Sequence, residues 1–388
     1  RILPVMNFTI ITYKGESIMT APSCPYYNQG LFLGSLPNGN TQISMCCFQN
    51  KKTVDEVRFD DPYLTSIRKD SVKEIPSQCD PTCSVPGHIA NEREKSLREW
   101  QDLFKETNTK AIKMLHLEQS LVCNLMCISC STTYSSAWNK HYHHFDTTAP
   151  KIKLAKFPEE KWKNLDLTQL EKLHFTGGEP LLNADNKKIL QHLETLNILE
   201  NVMISYNTNG TVLPDKETLR LWNKARFVRL FFSLDGVGSV FDYTRFPASW
   251  KTVNNNIQKL REHKDACILI EISAITGIHN IFNLPEFFNW WENHCKTGSQ
   301  GDDSSIFVKK ISGWSFGGKV LDLKHLSDHH SKLALDTLHS LTQYPGVNDL
   351  IESINNQREP EDDWIKYLDK LDHLRNTNWR NSLPKELI

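Results

Sequence analysis

From about residue 110 the chain alternates short apolar runs with longer amphipathic ones, a pattern that admits few folds beyond βα units around a parallel sheet. Runs at 112–117, 173–175, 202–206, 227–232, 268–273 and 306–311 predict strands, and 134–143, 186–196, 216–223, 253–263 and 284–294 predict helices. That makes about six βα repeats, short of the eight that close a TIM barrel. The predicted architecture is α/β: a partial (βα)6 TIM-like barrel over residues 106–320. In such sheets working residues gather where strands end and loops begin.

The flanks read differently. Pro37-Asn38-Gly39 between strand-like runs at 30–36 and 42–46 predicts a hairpin in a small cysteine-rich module, residues 1–105, and the charged stretch 92–105 predicts a linking helix. Beyond Ser327 the pattern is helical, a C-terminal extension over residues 321–388. With 388 residues, 39% hydrophobic and 23% charged, the chain can bury a full core. Lys plus Arg number 45 against 46 Asp plus Glu, which leaves a nucleic-acid partner without an electrostatic footprint. No run approaches the roughly 20 apolar residues of a membrane span. Lys14 and Glu16 interrupt the opening stretch, so the expectation is a soluble, cytoplasmic protein with no membrane partner; Met6 reads as a native start, with 1–5 upstream of it.

Ten cysteines in an intracellular chain point to metal ligation rather than a disulfide framework. Cys24, Cys46, Cys47, Cys79 and Cys83 lie in the first quarter, Cys123, Cys127 and Cys130 form one knot, and Cys267 and Cys295 stand apart as small hydrophobes. In the knot, C-x3-C-x2-C in one loop lets three thiolates reach three irons of a cubane and leaves the fourth iron without a protein ligand. The competing reading is a zinc knuckle, which needs a fourth ligand. His143 or His144 supplies one only after the predicted helix.

This loop, following the first barrel strand, resembles that of the radical S-adenosylmethionine (SAM) superfamily, where the open iron is chelated by the amino and carboxylate groups of SAM. The resemblance extends to Phe175-Thr176-Gly177-Gly178-Glu179-Pro180 after the second strand, similar to the GGEP segment whose backbone and Glu receive the SAM amino group. Glycines suit that task because their backbone approaches a ligand closely. Tyr206-Asn207-Thr208-Asn209-Gly210 ends the third strand and Phe232-Ser233-Leu234-Asp235-Gly236 the fourth, followed by Asp242-Tyr243-Thr244-Arg245. The resemblance implies SAM ribose and carboxylate contacts for Asn207, Asn209, Ser233, Asp235 and Arg245; the plainer reading is turn chemistry. Glu118 and Tyr134 read as core packing, and His116 and His174 as satisfied core imidazoles.

The first-quarter cysteines resemble the twitch (SPASM/twitch-like) auxiliary-cluster module, here preceding the barrel. Ser96-Leu97-Arg98 fits the same subgroup. The resemblance implies a second [4Fe–4S] cluster on Cys24, Cys46, Cys79 and Cys83, with Cys47 as a substitute for Cys46. Cys79-x3-Cys83 departs from the expected C-x2-C. A structural zinc site satisfies the same spacing.

As a whole the resemblance implies an enzyme that takes one electron from a reductant such as flavodoxin or ferredoxin, cleaves SAM to a 5′-deoxyadenosyl radical, and abstracts a hydrogen from its substrate. The expected substrate is a peptide or protein side chain, oxidised or cross-linked; an amino sugar or a nucleotide is the alternative, and Trp314 and Phe316, in the aromatic and basic stretch 309–319, face either or neither. Two readings of other classes remain, an iron–sulfur electron carrier and a zinc-stabilised interaction protein.

Overall fold

The structure is a computed structural model that describes residues 29–36, 40–46, 49–70, 111–141, 157–263, 268–295, 305–311, 315, 317–356 and 358–388. The described strands are β1 (Gly30–Ser35), β2 (Thr41–Ser44), β3 (Lys52–Val54), β4 (Met114–Glu118), β5 (Lys172–Phe175), β6 (Met203–Thr208), β7 (Phe227–Ser233), β8 (Ile268–Thr276) and β9 (Ser305–Lys310). The helices are α1 (Pro62–Asp70), α2 (Ser136–Asn139), α3 (Glu160–Lys163), α4 (Asp185–Thr195), α5 (Lys216–Lys224), α6 (Gly238–Thr244), α7 (Trp250–Arg261), α8 (Leu284–His294), α9 (Asp328–His339), α10 (Val347–Asn356), α11 (Asp363–Arg375) and α12 (Trp379–Ser382).

One sheet holds all nine described strands in the order β3-β2-β1-β4-β5-β6-β7-β8-β9. Strands β4 to β9 run parallel, each beside its predecessor, as is usual for consecutive strands. Period-two burial sets the faces. Val228, Leu230 and Phe232 of β7 and Ile268, Ile270, Ile272 and Ala274 of β8 are buried in the apolar core. Their neighbours Arg229 and Glu271, on the other face, form an ion pair at 3.0 Å.

The expected α/β class and all six expected strands are present. The strand foreseen at 112–117 is displaced toward its C-terminal end, since its pairing begins at Met114. The hairpin is present too, Leu33 pairing antiparallel with Ile43. What the local pattern did not carry is that β1 pairs parallel with β4, Gly30 against Met114 through Gly34 against Glu118, so the hairpin extends the same sheet.

The helix expected at 134–143 is a four-residue turn of helix, Ser136–Asn139. Ser135, just before it, and Ser136, its first residue, donate their hydroxyls to the Leu125 and Cys123 carbonyls, as short hydroxyl side chains tend to do. The turn at 37–39, the helix at 92–105 and residues 142–150 lie outside the described residues. Behind β9 the chain is helical as expected. This extension docks beside α6: Tyr243 Oη donates to the Leu368 carbonyl at 3.4 Å and Ser239 Oγ to the Ser382 carbonyl at 2.9 Å. Among the described residues no helix is long and apolar enough to cross a membrane.

Candidate active site

The loop after β4 carries Cys123, Cys127 and Cys130, and its backbone is fixed from several sides. Met126 N donates to the Phe246 carbonyl at 2.7 Å and Ile128 N to the Thr244 carbonyl at 2.9 Å, so the loop lies along the segment that follows α6. Ser135 Oγ donates to the Leu125 carbonyl (2.6 Å), Trp138 Nε1 to the Cys127 carbonyl (3.0 Å), and Ser136 Oγ accepts from Cys123 N (3.0 Å). All three cysteines are free thiols, Cys127 buried and the others half-buried.

Burial pushes all three thiols up, Cys127 to about 12, and the thiolate charges of the trio oppose one another at Cys127 and Cys130. Two donors work in the opposite sense: Arg245 Nη1 lies 3.8 Å from the Cys127 sulfur and Asn209 Nδ2 3.8 Å from that of Cys123. Three sulfurs that resist ionisation alone become thiolates when a metal centre supplies positive charge. Among the described residues no three His, Cys, Asp or Glu side chains gather about one point suited to a single ion. A cubane distributes its ligands over separate irons and needs no such convergence. The residues present therefore fit a cluster of that kind.

The GGEP loop is pressed against the cysteine loop. Gly178 N donates to the Ser120 carbonyl at 2.9 Å and Glu179 N to the Val122 carbonyl at 2.7 Å. A Cβ on Gly178 would stand 2.1 Å from the Val122 oxygen, and one on Gly177, at φ 111°, 2.4 Å from that of Ser120. The close approach that demands glycine here is to the cysteine loop's own backbone. Glu179 is buried: Oε1 accepts from Thr208 Oγ1 (2.9 Å) and Leu181 N (3.1 Å), Oε2 from Asn209 N (2.7 Å). Burial outweighs these bonds and raises its pKa to about 7. Pro180 opens a 3-10 turn, its carbonyl accepting from Asn186 Nδ2 at 2.9 Å.

Asp235 and Arg245 form a buried ion pair, Arg245 Nη2 to Oδ1 and Nε to Oδ2, each at 2.9 Å. Asp235 also accepts from Ser129 Oγ in the cysteine loop and from Ile275 N, both at 2.9 Å. Burial works against the Arg245 charge, but Asp235 and Cys127 outweigh it, so its pKa is raised. Asn209, Asp235 and Arg245 are thus brought to the cysteine loop. Asn207 is exposed near the end of β6, and Ser233 is half-buried at the end of β7 in register with Ser273; no described hydrogen bond joins either to the sulfurs. Glu118 and Tyr134 are half-buried. His116 and His174 are partnered core imidazoles, 2.6 Å from Thr176 Oγ1 and 2.7 Å from Ser205 Oγ. Of the first-quarter cysteines, Cys46 is half-buried past β2, its carbonyl accepting from Ser44 Oγ at 2.6 Å; Cys24, Cys47, Cys79 and Cys83 lie outside the described residues, as do Cys267, Trp314 and Phe316.

Two groups at the end of β8 escaped the sequence reading. His279 is fully buried with neither ring nitrogen partnered among the described residues, and Thr276 Oγ1 is likewise orphaned. The rule that strand ends carry function pointed there. Burial lowers the His279 pKa to about 4, Asp235 opposing that shift and Arg245 adding to it. The folded chain thus keeps this ring neutral where the unfolded chain protonates it near 6.5. The resulting stability is complete above pH 6.5 and is lost as pH falls toward 4, a difference of about 3 kcal/mol. In thermal unfolding of the metal-free protein, His279→Leu is expected to flatten the decline in melting temperature over that window; an unchanged acid slope refutes the assignment.

Residues 118–280 match the family model of the Radical SAM superfamily. The chain therefore carries a radical SAM superfamily domain, the domain of an enzyme. No curated protein matches. Among solved structures, Streptococcus suis SuiB bound to S-adenosylmethionine aligns at 14% identity and TM-score 0.41, covering 66% of this chain and 52% of that one. Native anSMEcpe with bound AdoMet aligns at 15% identity and TM-score 0.41, covering 60% of this chain and 63% of that one. The chain thus spans between half and two thirds of the length of these two proteins.

Proposed function

We propose that this chain is a cytoplasmic enzyme that binds a [4Fe–4S] cluster on Cys123, Cys127 and Cys130, cleaves SAM reductively, and oxidises or cross-links a peptide or protein side chain. The observation that carries the reading is the trio of unbridged thiols, one buried and two half-buried, on a loop to which the GGEP segment is hydrogen-bonded. Bound there, the cluster and SAM would supply the electron and the radical that activate an unreactive C–H bond. The chain's own groups hold and shield. Gly177 to Pro180 brace the cysteine loop and offer backbone to the SAM amino group, and Glu179 fixes the end of β6 through Thr208 and Asn209. Arg245 and Asn209 donate toward ligand sulfurs, and Asp235 keeps Arg245 aimed. In the same reading Asn207 and Ser233 contact SAM, Cys24, Cys46 or Cys47, Cys79 and Cys83 hold an auxiliary cluster, and flavodoxin or ferredoxin delivers the electron.

Anaerobic reconstitution with iron and sulfide tests this. A brown protein binding roughly four irons per cluster, and releasing 5′-deoxyadenosine from SAM only with reductant, is the expected result. A colourless protein holding zinc, or a cluster that leaves SAM intact, would defeat the reading; deoxyadenosine formation unaffected by peptides and stimulated by an amino sugar would move the substrate.

A further inference from the structure

The last residue of α11, Arg375, lies 249 positions from the residue it holds in the cysteine loop. Asn376, in the left-handed region at φ 53°, ends the helix and leaves the Arg375 side chain directed inward, where it is 6% exposed. One guanidinium nitrogen, Nη1, donates to the Tyr243 carbonyl at 3.2 Å, and Nη2 donates to the Met126 carbonyl, the peptide oxygen immediately before Cys127. The group lies over the rings of Trp138 (5.4 Å) and Phe246 (5.3 Å), and its Nε has no partner among the described residues. It thereby joins residue 126 to residue 243, at the edge of the two strips of backbone, 126–128 and 244–246, that are already paired with each other.

A guanidinium buried this deeply loses several kcal/mol of hydration. Two carbonyls and two ring faces are neutral, and among the described residues no carboxylate forms an ion pair with it. Burial opposes its charge and still outweighs Cys127 and Asp372, which both favour the charged form without forming an ion pair with it; through the Met126 carbonyl the cation sits one peptide from the Cys127 thiol.

We infer that Arg375 is the positioning residue by which the C-terminal extension holds the Cys127 loop and supplies the positive charge that offsets the thiolate-bound cluster. The inference rests on the cluster reading above and adds a second, cluster-independent consequence: the extension stiffens the loop before any metal is bound.

Two variants separate the roles, Arg375→Met, which keeps the length and removes the charge, and Arg375→Lys, which keeps the charge and cannot span both carbonyls. In the metal-free protein, amide hydrogen exchange across 124–130 is expected to quicken about ten-fold in both, the loss of roughly one net hydrogen bond. In reconstituted protein, the cluster's midpoint potential is expected to fall in Arg375→Met, because adding an electron without the nearby cation is harder, and to stay near wild type in Arg375→Lys. Unchanged exchange in both variants overturns the clamp, and an unchanged potential in Arg375→Met overturns the charge role. Should Arg375→Met fail to fold, Arg375→Lys decides alone: unchanged exchange overturns the clamp, and a potential as displaced as that of apolar-shielded clusters overturns the charge role. If wild-type protein takes up no cluster, the proposed function fails while the exchange result still judges the clamp.

Discussion

Gly178→Ala is expected to destabilise the metal-free protein by about 3 kcal/mol or more, the upper range for an overpacked buried site. The new methyl would sit 2.1 Å from the Val122 oxygen and 2.5 Å from its carbon, both backbone, so no side chain can swing aside. Relief requires the GGEP loop to withdraw from the cysteine loop, which breaks the bonds from Gly178 N and Glu179 N. Gly238→Ala is the control. At φ 59° it incurs backbone strain of about 1 kcal/mol, but nothing lies within 4 Å of its Cβ. Chemical denaturation of the two variants measures the difference; equal losses would mean that the two loops are not locked together as described.

Cys127→Ala is expected to lower SAM cleavage by more than about 100-fold, beyond the loss typical of an outer-shell change around a metal. Its thiol is buried, with Arg245 at 3.8 Å, its own carbonyl tied by Trp138 and the preceding carbonyl tied by Arg375, an arrangement that suits a ligand. Removing one sulfur atom from the fold alone costs about 1 kcal/mol, so unfolding should change little while iron content falls. Cys295→Ala, buried in the apolar core, should lose similar stability and keep full iron uptake. Iron analysis and a deoxyadenosine assay on both variants settle the point, and Cys127→Ala retaining cleavage would remove the cysteine loop from the mechanism.

What could be read from the chain and what could not divides along sequence distance. The strands from β4 to β9 announce themselves because apolar runs and amphipathic helices alternate locally, and Cys123, Cys127 and Cys130 because their spacing is itself the chemistry. The pairing of β1 with β4 joins segments about 80 residues apart, and nothing in Gly30–Ser35 states its partner. Arg375 is a harder case, since a lone arginine at a helix end resembles a favourable C-terminal charge until the fold carries it to Met126. Gly177 and Gly178 are legible as glycines that let a ligand approach; the loop-on-loop contact that the backbone displays is a further demand on them that the sequence does not state. His279 was passed over because a single histidine in a turn carries no spacing to read.

The union of the first hairpin with β4 bears on how the protein can be trimmed. A chain begun at residue 106 would lose the neighbour strand along all five pairings from Met114 to Glu118. Those amides and carbonyls would become a bare edge, open to strands of other molecules. That edge leads straight into the cysteine loop, so shortening the protein in this way would invite aggregation beside Cys123, Cys127 and Cys130.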